Sequence, residues 1–82
     1  MDELRPISGT LDDIAKIKSH ELRDIKIRTP SNWRLFRDVL LFHPSPIARH
    51  EAAFYVGEFG ISELFPLLIY AVENDKSLVV KH

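Results

Sequence analysis

The sequence has no cysteine, almost no net charge and no long apolar run, and each shortage excludes a class of protein. Without cysteine among its 82 residues, the chain forms neither a disulfide framework nor a thiolate metal site. Acidic and basic residues are interspersed and leave a net charge of -1, so no strong electrostatic attraction to nucleic acid or to membranes is expected. The apolar run around Leu67 to Val72 is far shorter than a membrane span. We therefore expect a soluble protein, and the cytoplasm is the predicted location.

Strand patterns and common catalytic motifs are also missing. No segment alternates apolar and polar residues between turn residues, so no sheet is expected. The sequence holds no Ser-His-Asp or Cys-His set, no phosphate loop and no dinucleotide motif. A chain of 82 residues makes one small domain that buries only about 60–65% of its unfolded surface. These features together predict a small all-α domain.

Capping residues and apolar periodicity predict four helices and part of a fifth. We expect an irregular lead-in at residues 1–9 and a domain over 10–82, with helices at about 11–28, 31–42, 46–58, 63–74 and 78–82. Thr10 is a suitable N-cap for the first helix, and Ser45 followed by Pro46 is a typical start for the third. Gly57 and Gly60 are expected to end the third helix, because glycine tolerates positive φ angles.

Each predicted helix has an apolar and a polar side. The buried stripe of the second helix is Leu35, Phe36, Val39 and Leu40, with Arg34, Arg37 and Asp38 on the other side. A locally basic region is formed by Arg23, Lys26, Arg28, Arg34 and Arg37. Asp24 and Asp38 dilute this region, so we interpret it as a solvated surface. His43, before Pro44, is interpreted as a turn residue.

The chain contains an internal repeat. Ser45 and Ser77 lie 32 positions apart, and the same shift places His50 over His82 and residues 31–44 over 63–76. The apolar residues of the second and fourth helices coincide under this shift. A fixed period of this size is typical of a solenoid of stacked helix pairs.

The third helix carries the residues that suggest a family. The run Ala-Arg-His-Glu-Ala-Ala-Phe-Tyr-Val-Gly from Ala48 to Gly57 resembles the HEAT-like repeat of the phycobilin lyase type. The resemblance covers residues 31–82 and is looser for 10–28. It implies a short right-handed α-α superhelix of about two helix pairs plus a partial fifth helix. It also implies a non-catalytic protein interaction or scaffold module with a protein partner, or alternatively a phycobilin-lyase-like protein that cradles a tetrapyrrole.

The adjacent His50 and Glu51 admit three interpretations. In this repeat context such a pair resembles those that hold two irons in deoxyhypusine hydroxylase, and His82 matches the first member of a second pair. That resemblance implies an iron site in a fragment of a di-iron monooxygenase. Neighbouring residues on one helix point about 100° apart, so one pair is a poor chelate by itself. In the second interpretation, His50 and Glu51 are surface residues that only hydrogen-bond their neighbours. In the third, they contact a partner. Neither of these two interpretations requires a cofactor.

Phe54 and Glu58 are the candidate binding surface. They share a face with His50 and Glu51, away from the alanine-rich face formed by Ala48, Ala52, Tyr55, Val56 and Phe59. An aromatic residue on a polar face is either covered by another helix or part of an exposed groove. Because the sequence stops inside an apolar helix, a homodimer through the C-terminal end, or a longer source protein, is also expected.

Overall fold

A computed structural model describes residues 5–74, and in this part of the chain the regular secondary structure is all helical, with no strand. The helices are α1 (Leu11–Ala15), α2 (Leu22–Arg28), α3 (Trp33–Phe42), α4 (Pro46–Phe59) and α5 (Phe65–Asn74), with 3₁₀ helices at Ser19–Glu21 and Ser62–Leu64. The all-α prediction is confirmed for residues 5–74, whereas the predicted helix at 78–82 lies outside them. Of the helices in this region, none is long and apolar enough to cross a membrane.

The predicted capping residues begin and end the helices as expected, with one exception. The Thr10 hydroxyl accepts from the Asp13 N–H, and the Asp13 carboxylate accepts from the Thr10 N–H, which lowers the pKa of Asp13. Ser45 caps α4, and Gly60 ends it with a φ of 64°. Gly57 was expected to help reverse the chain, but it lies within the last turns of α4 with no atom near its would-be Cβ.

The first predicted helix, at 11–28, is wrong in one respect, because the chain breaks it into α1 and α2. The helical ladder is interrupted where the Ile17 carbonyl accepts a hydrogen bond from the His43 ring. The Glu21 carboxylate then accepts from the Lys18 N–H at 2.9 Å and starts the short 3₁₀ helix. Tertiary and capping interactions therefore outweigh the continuous helical periodicity of the sequence.

The helices α3 and α4 form the main packing unit. Ala48 and Ala52 of α4 are fully buried, and their small side chains allow α3 to approach closely. The Phe36 ring centroid lies 5.1 Å from that of Tyr55 and 5.8 Å from that of Phe59, so the aromatic rings tie the two helices together. In addition α1 packs on α3, α2 packs on α4, and α5 contacts both members of the pair.

Arg37 and Asp38 are not on a solvent-facing side of α3, which corrects the sequence-based prediction. The Asp38 side chain is fully buried and pairs with the Arg37 guanidinium at 2.7 Å. It also accepts hydrogen bonds from the Ile7 N–H, the Ser8 N–H and the Ser8 hydroxyl. Arg37 donates to the Arg5 carbonyl at 2.6 Å. The N-terminal segment, residues 5–10, thus covers the polar side of α3 and supplies the donors that a buried carboxylate requires.

Replacement of Asp38 is expected to destabilise the fold. In Asp38→Asn the amide cannot satisfy all of these donors and leaves the Arg37 charge without its partner. We expect the free energy of unfolding to fall by about 2–4 kcal/mol, measured by urea denaturation. Amide exchange at Ile7 and Ser8 should accelerate. Asp24→Asn, on an exposed site of α2, is the control and should change stability by less than about 0.5 kcal/mol. Equal effects of the two substitutions would contradict the anchoring role of Asp38.

Candidate interaction surface

One side of α4 faces away from the core and presents both apolar and charged side chains. This outer face of α4 consists of Ile47, His50, Glu51, Phe54 and Glu58, and residues at such spacings share one side of a helix. Ile47 is 57% exposed and Phe54 is 61% exposed, although both are large apolar residues. Glu58 is exposed, and His50 and Glu51 are half-buried. The face therefore combines an apolar centre with acidic groups.

The exposure of Phe54 answers the question that the sequence left open, because no helix within residues 5–74 covers this ring. Its only ring contact in this region is an edge-on approach to Tyr55, with centroids 5.4 Å apart. The face shared by His50, Glu51, Phe54 and Glu58 follows the prediction, but Ile47 was missed. The helical spacing in the sequence could have identified Ile47, because it lies seven positions, or about two helical turns, before Phe54 and off the alanine-rich face.

A further adjacent His-Glu pair, His20 and Glu21, lies on an element next to the helix that carries His50 and Glu51. His20 and Glu21 belong to the 3₁₀ helix at Ser19–Glu21, which packs on α4, the helix that carries His50 and Glu51. Within residues 5–74, no three His, Asp or Glu side chains come close enough together to hold a metal ion. Glu21 is already engaged with the Lys18 N–H. His82 lies outside the described residues, so the predicted iron ligands His50, Glu51 and His82 stay a prediction.

The basic residues predicted as one region are distributed among different environments. Arg37 is buried against Asp38. The Arg34 guanidinium lies 4.6 Å from the Trp33 ring centroid, and Lys26 Nζ lies 5.0 Å from the Phe59 ring centroid. Such cation–π contacts stabilise a surface locally. Arg37, Arg34 and Lys26 therefore each have a separate local partner.

A cleft of about 330 Å³ lies on the other flank of α4, between α3, α4 and α5. Its lining residues are Leu40, Leu41, His43, Arg49, Tyr70, Ala71 and Asn74. Its polar groups bond mainly to the protein itself. Arg49 donates to the carbonyls of His43 and Pro44, and Asn74 donates to the carbonyl of Tyr70. The cleft therefore has a structural rather than a ligand-directed arrangement of polar groups.

His43 is a buried structural histidine and more than a turn residue. It is 5% exposed, and its Nδ1 accepts from the Ser45 N–H at 2.9 Å. The other ring nitrogen, Nε2, therefore carries the proton and donates to the Ile17 carbonyl. Both ring nitrogens are satisfied in the neutral form, and the ring joins the α1–α2 break to the α3–α4 turn. His43 has no nitrogen left for a ligand.

Comparison of the chain with protein-family models, with curated protein sequences and with solved structures gives no match.

His43→Ala should destabilise the fold by about 2–3 kcal/mol, because it leaves a cavity and removes the partners of the Ser45 N–H and the Ile17 carbonyl. Thermal or urea unfolding monitored by circular dichroism measures the loss. His20→Ala removes an exposed histidine and is the matched control, with an expected change below about 0.5 kcal/mol. A stable His43→Ala variant would show that the buried ring is dispensable.

Proposed function

We propose that this chain is a HEAT-like helical-repeat module that binds a protein partner through the outer face of α4. One support is the order of helix contacts. The later helices pack on a neighbour in the sequence, α3 on α4 and α4 on α5, and contacts also join each helix to the next but one: α1 to α3, α2 to α4 and α3 to α5. Stacked helix pairs produce contacts of this kind, because each repeat touches mainly the adjacent repeats.

The repeat period gives a second support. Helices α3 (Trp33–Phe42) and α5 (Phe65–Asn74) begin 32 positions apart. The displacement also relates buried positions, since Val39 and Ala71 are both buried. The same 32-residue shift relates Ser45 to Ser77 in the sequence. A right-handed α-α superhelix remains the arrangement that we propose for these pairs.

The observation that carries the proposed function is the exposed outer face of α4. Protein interfaces typically have an apolar centre with aromatic residues and a polar rim. Phe54 and Ile47 provide such a centre, each more than half exposed, and Glu51 and Glu58 provide part of the rim. Core packing does not require these side chains, because α4 packs on α3 through its opposite, alanine-rich face. A scaffold or adaptor role in the cytoplasm, with no catalysis of its own, is the function that we propose.

The hydroxylase-like alternative receives less support from the described residues. It requires donors from at least two His-Glu pairs to converge on each metal, and His20, Glu21, His50 and Glu51 do not gather in this way. We therefore give no role to iron in the proposed function.

The test compares two variants that remove an exposed apolar residue and a glutamate one helical turn later. Phe54→Ala/Glu58→Ala alters the outer face of α4, whereas Ile69→Ala/Glu73→Ala makes the matched change on α5. A protein captured by the wild-type chain is identified, produced pure and titrated by calorimetry against both variants. We expect the α4 variant to weaken binding at least about tenfold, as for a hot-spot aromatic residue, and the α5 variant to bind like wild type.

Two outcomes would contradict the proposed function. One is equal affinity of the Phe54→Ala/Glu58→Ala variant and wild type for the captured protein. The other is the absence of any binder, including a second copy of the chain itself, under conditions in which the protein is folded.

A further inference from the structure

The outer face of α4 lies beside a basic edge of α2. Helix α2 packs on α4, and Lys26 Nζ lies 5.0 Å from the Phe59 ring centroid. Phe59 belongs to a row of α4 residues at four-residue spacing that continues through Tyr55 to Glu51. Phe59 therefore borders α2, and by helical spacing Glu51 and Glu58 lie on the flank of the outer face that adjoins this row.

The adjoining edge of α2 has the opposite charge and its own exposed apolar residue. We define the basic edge of α2 as Arg23, Lys26 and Ile27; Arg23 is exposed, and Ile27 is 66% exposed. Among residues 5–74, no ion pair joins this edge to Glu51 or Glu58. Two adjacent and at least partly exposed stripes, one basic and one acidic, are thus not joined by ion pairs within residues 5–74.

We propose that a second copy of this chain binds the outer face of α4 by placing its basic α2 edge there, which gives a two-fold symmetric dimer. This inference rests on the proposed function, because it names the partner of that same surface. When the two-fold axis runs along the boundary between the stripes, α2 of each copy lies over α4 of the other. Arg23 and Lys26 then face Glu51 and Glu58 twice. Such an interface is isologous, since one self-complementary patch serves both copies.

The apolar residues and the available surface suit this arrangement. Ile27 of one copy meets the region of Ile47 and Phe54 of the other, so apolar groups occupy the centre and charges the rim. A standard interface buries about 800 Å² on each partner, which is roughly 15% of the 5433 Å² surface of this chain. Exposed charge pairs contribute little affinity individually but determine which surfaces associate. The charge pattern therefore selects a second copy over a uniformly acidic or basic partner.

Sedimentation equilibrium of the full chain tests the dimer and its charge dependence. We expect a reversible dimer whose dissociation constant rises at least about tenfold between low salt and 0.5 M salt, because salt screens exposed charge pairs. Glu51→Lys/Glu58→Lys makes both contacts basic against basic, and Arg23→Glu/Lys26→Glu makes both contacts acidic against acidic. Each variant alone should be monomeric, and an equimolar mixture should form a heterodimer, in which both contacts join opposite charges again.

Matched variants separate this interface from general charge attraction. Glu63→Lys/Glu73→Lys has the same net charge as the reversed α4 variant but changes exposed residues of another surface. It should dimerise like wild type and should not form a heterodimer with the Arg23→Glu/Lys26→Glu variant. Phe54→Asp should disrupt the dimer, whereas Ile69→Asp on α5 should not. Circular dichroism confirms that each variant is folded.

Several results would overturn the dimer proposal. One such result is a wild-type chain that remains monomeric up to about 1 mM. At that concentration a dimer with a dissociation constant of about 1 mM would be half-formed. A dimer disrupted by Ile69→Asp but unaffected by Phe54→Asp is another, since it places the contact on α5. In either case a Phe54-dependent complex with a different protein would leave the proposed function intact, so the failures of the two proposals are distinguishable.

Discussion

The complete enclosure of α3 is the constraint on which the rest of the fold depends. Five consecutive residues, Phe36 to Leu40, are buried, and five residues exceed one turn of an α-helix. The middle of α3 therefore meets protein in every direction. Helix α4 covers one side with its alanines, α1 and α5 also pack on α3, and the N-terminal segment covers the polar side. Because α4 uses its alanine-rich face for this packing, its outer face remains exposed and available for a partner.

Features that depend on local backbone chemistry followed directly from the sequence. Thr10 and Ser45 cap helices because their hydroxyls reach a backbone N–H within the first turn, and Gly60 ends α4 because it adopts a positive φ. Helical periodicity also grouped His50, Glu51, Phe54 and Glu58 on one face of α4. Their role in binding remains a prediction, but their common orientation needed only the 3.6-residue period.

Features that depend on contacts distant in the sequence did not follow from it. Asp38 read as a surface residue because its donors, Ile7 and Ser8, lie about thirty positions earlier. The break between α1 and α2 was missed because its bond to His43 spans 26 positions. In both cases local periodicity contained no information about which distant segment would pass beside the helix. Gly57 was misplaced for a different reason, since helix propensity alone does not decide which of two nearby glycines ends a helix.

The bonds between the N-terminal segment and Asp38 also affect how the molecule unfolds. In a linear array of repeats, each unit is stabilised mainly by its neighbours, and a terminal unit can open by itself at low cost in free energy. Here a terminal segment without a helix of its own bonds to a residue in the middle of the most enclosed helix. Opening that end exposes a buried carboxylate and its guanidinium partner together. Residues 5–40 should consequently behave as one cooperative unit in hydrogen exchange, and their amides should exchange with a common free energy of opening.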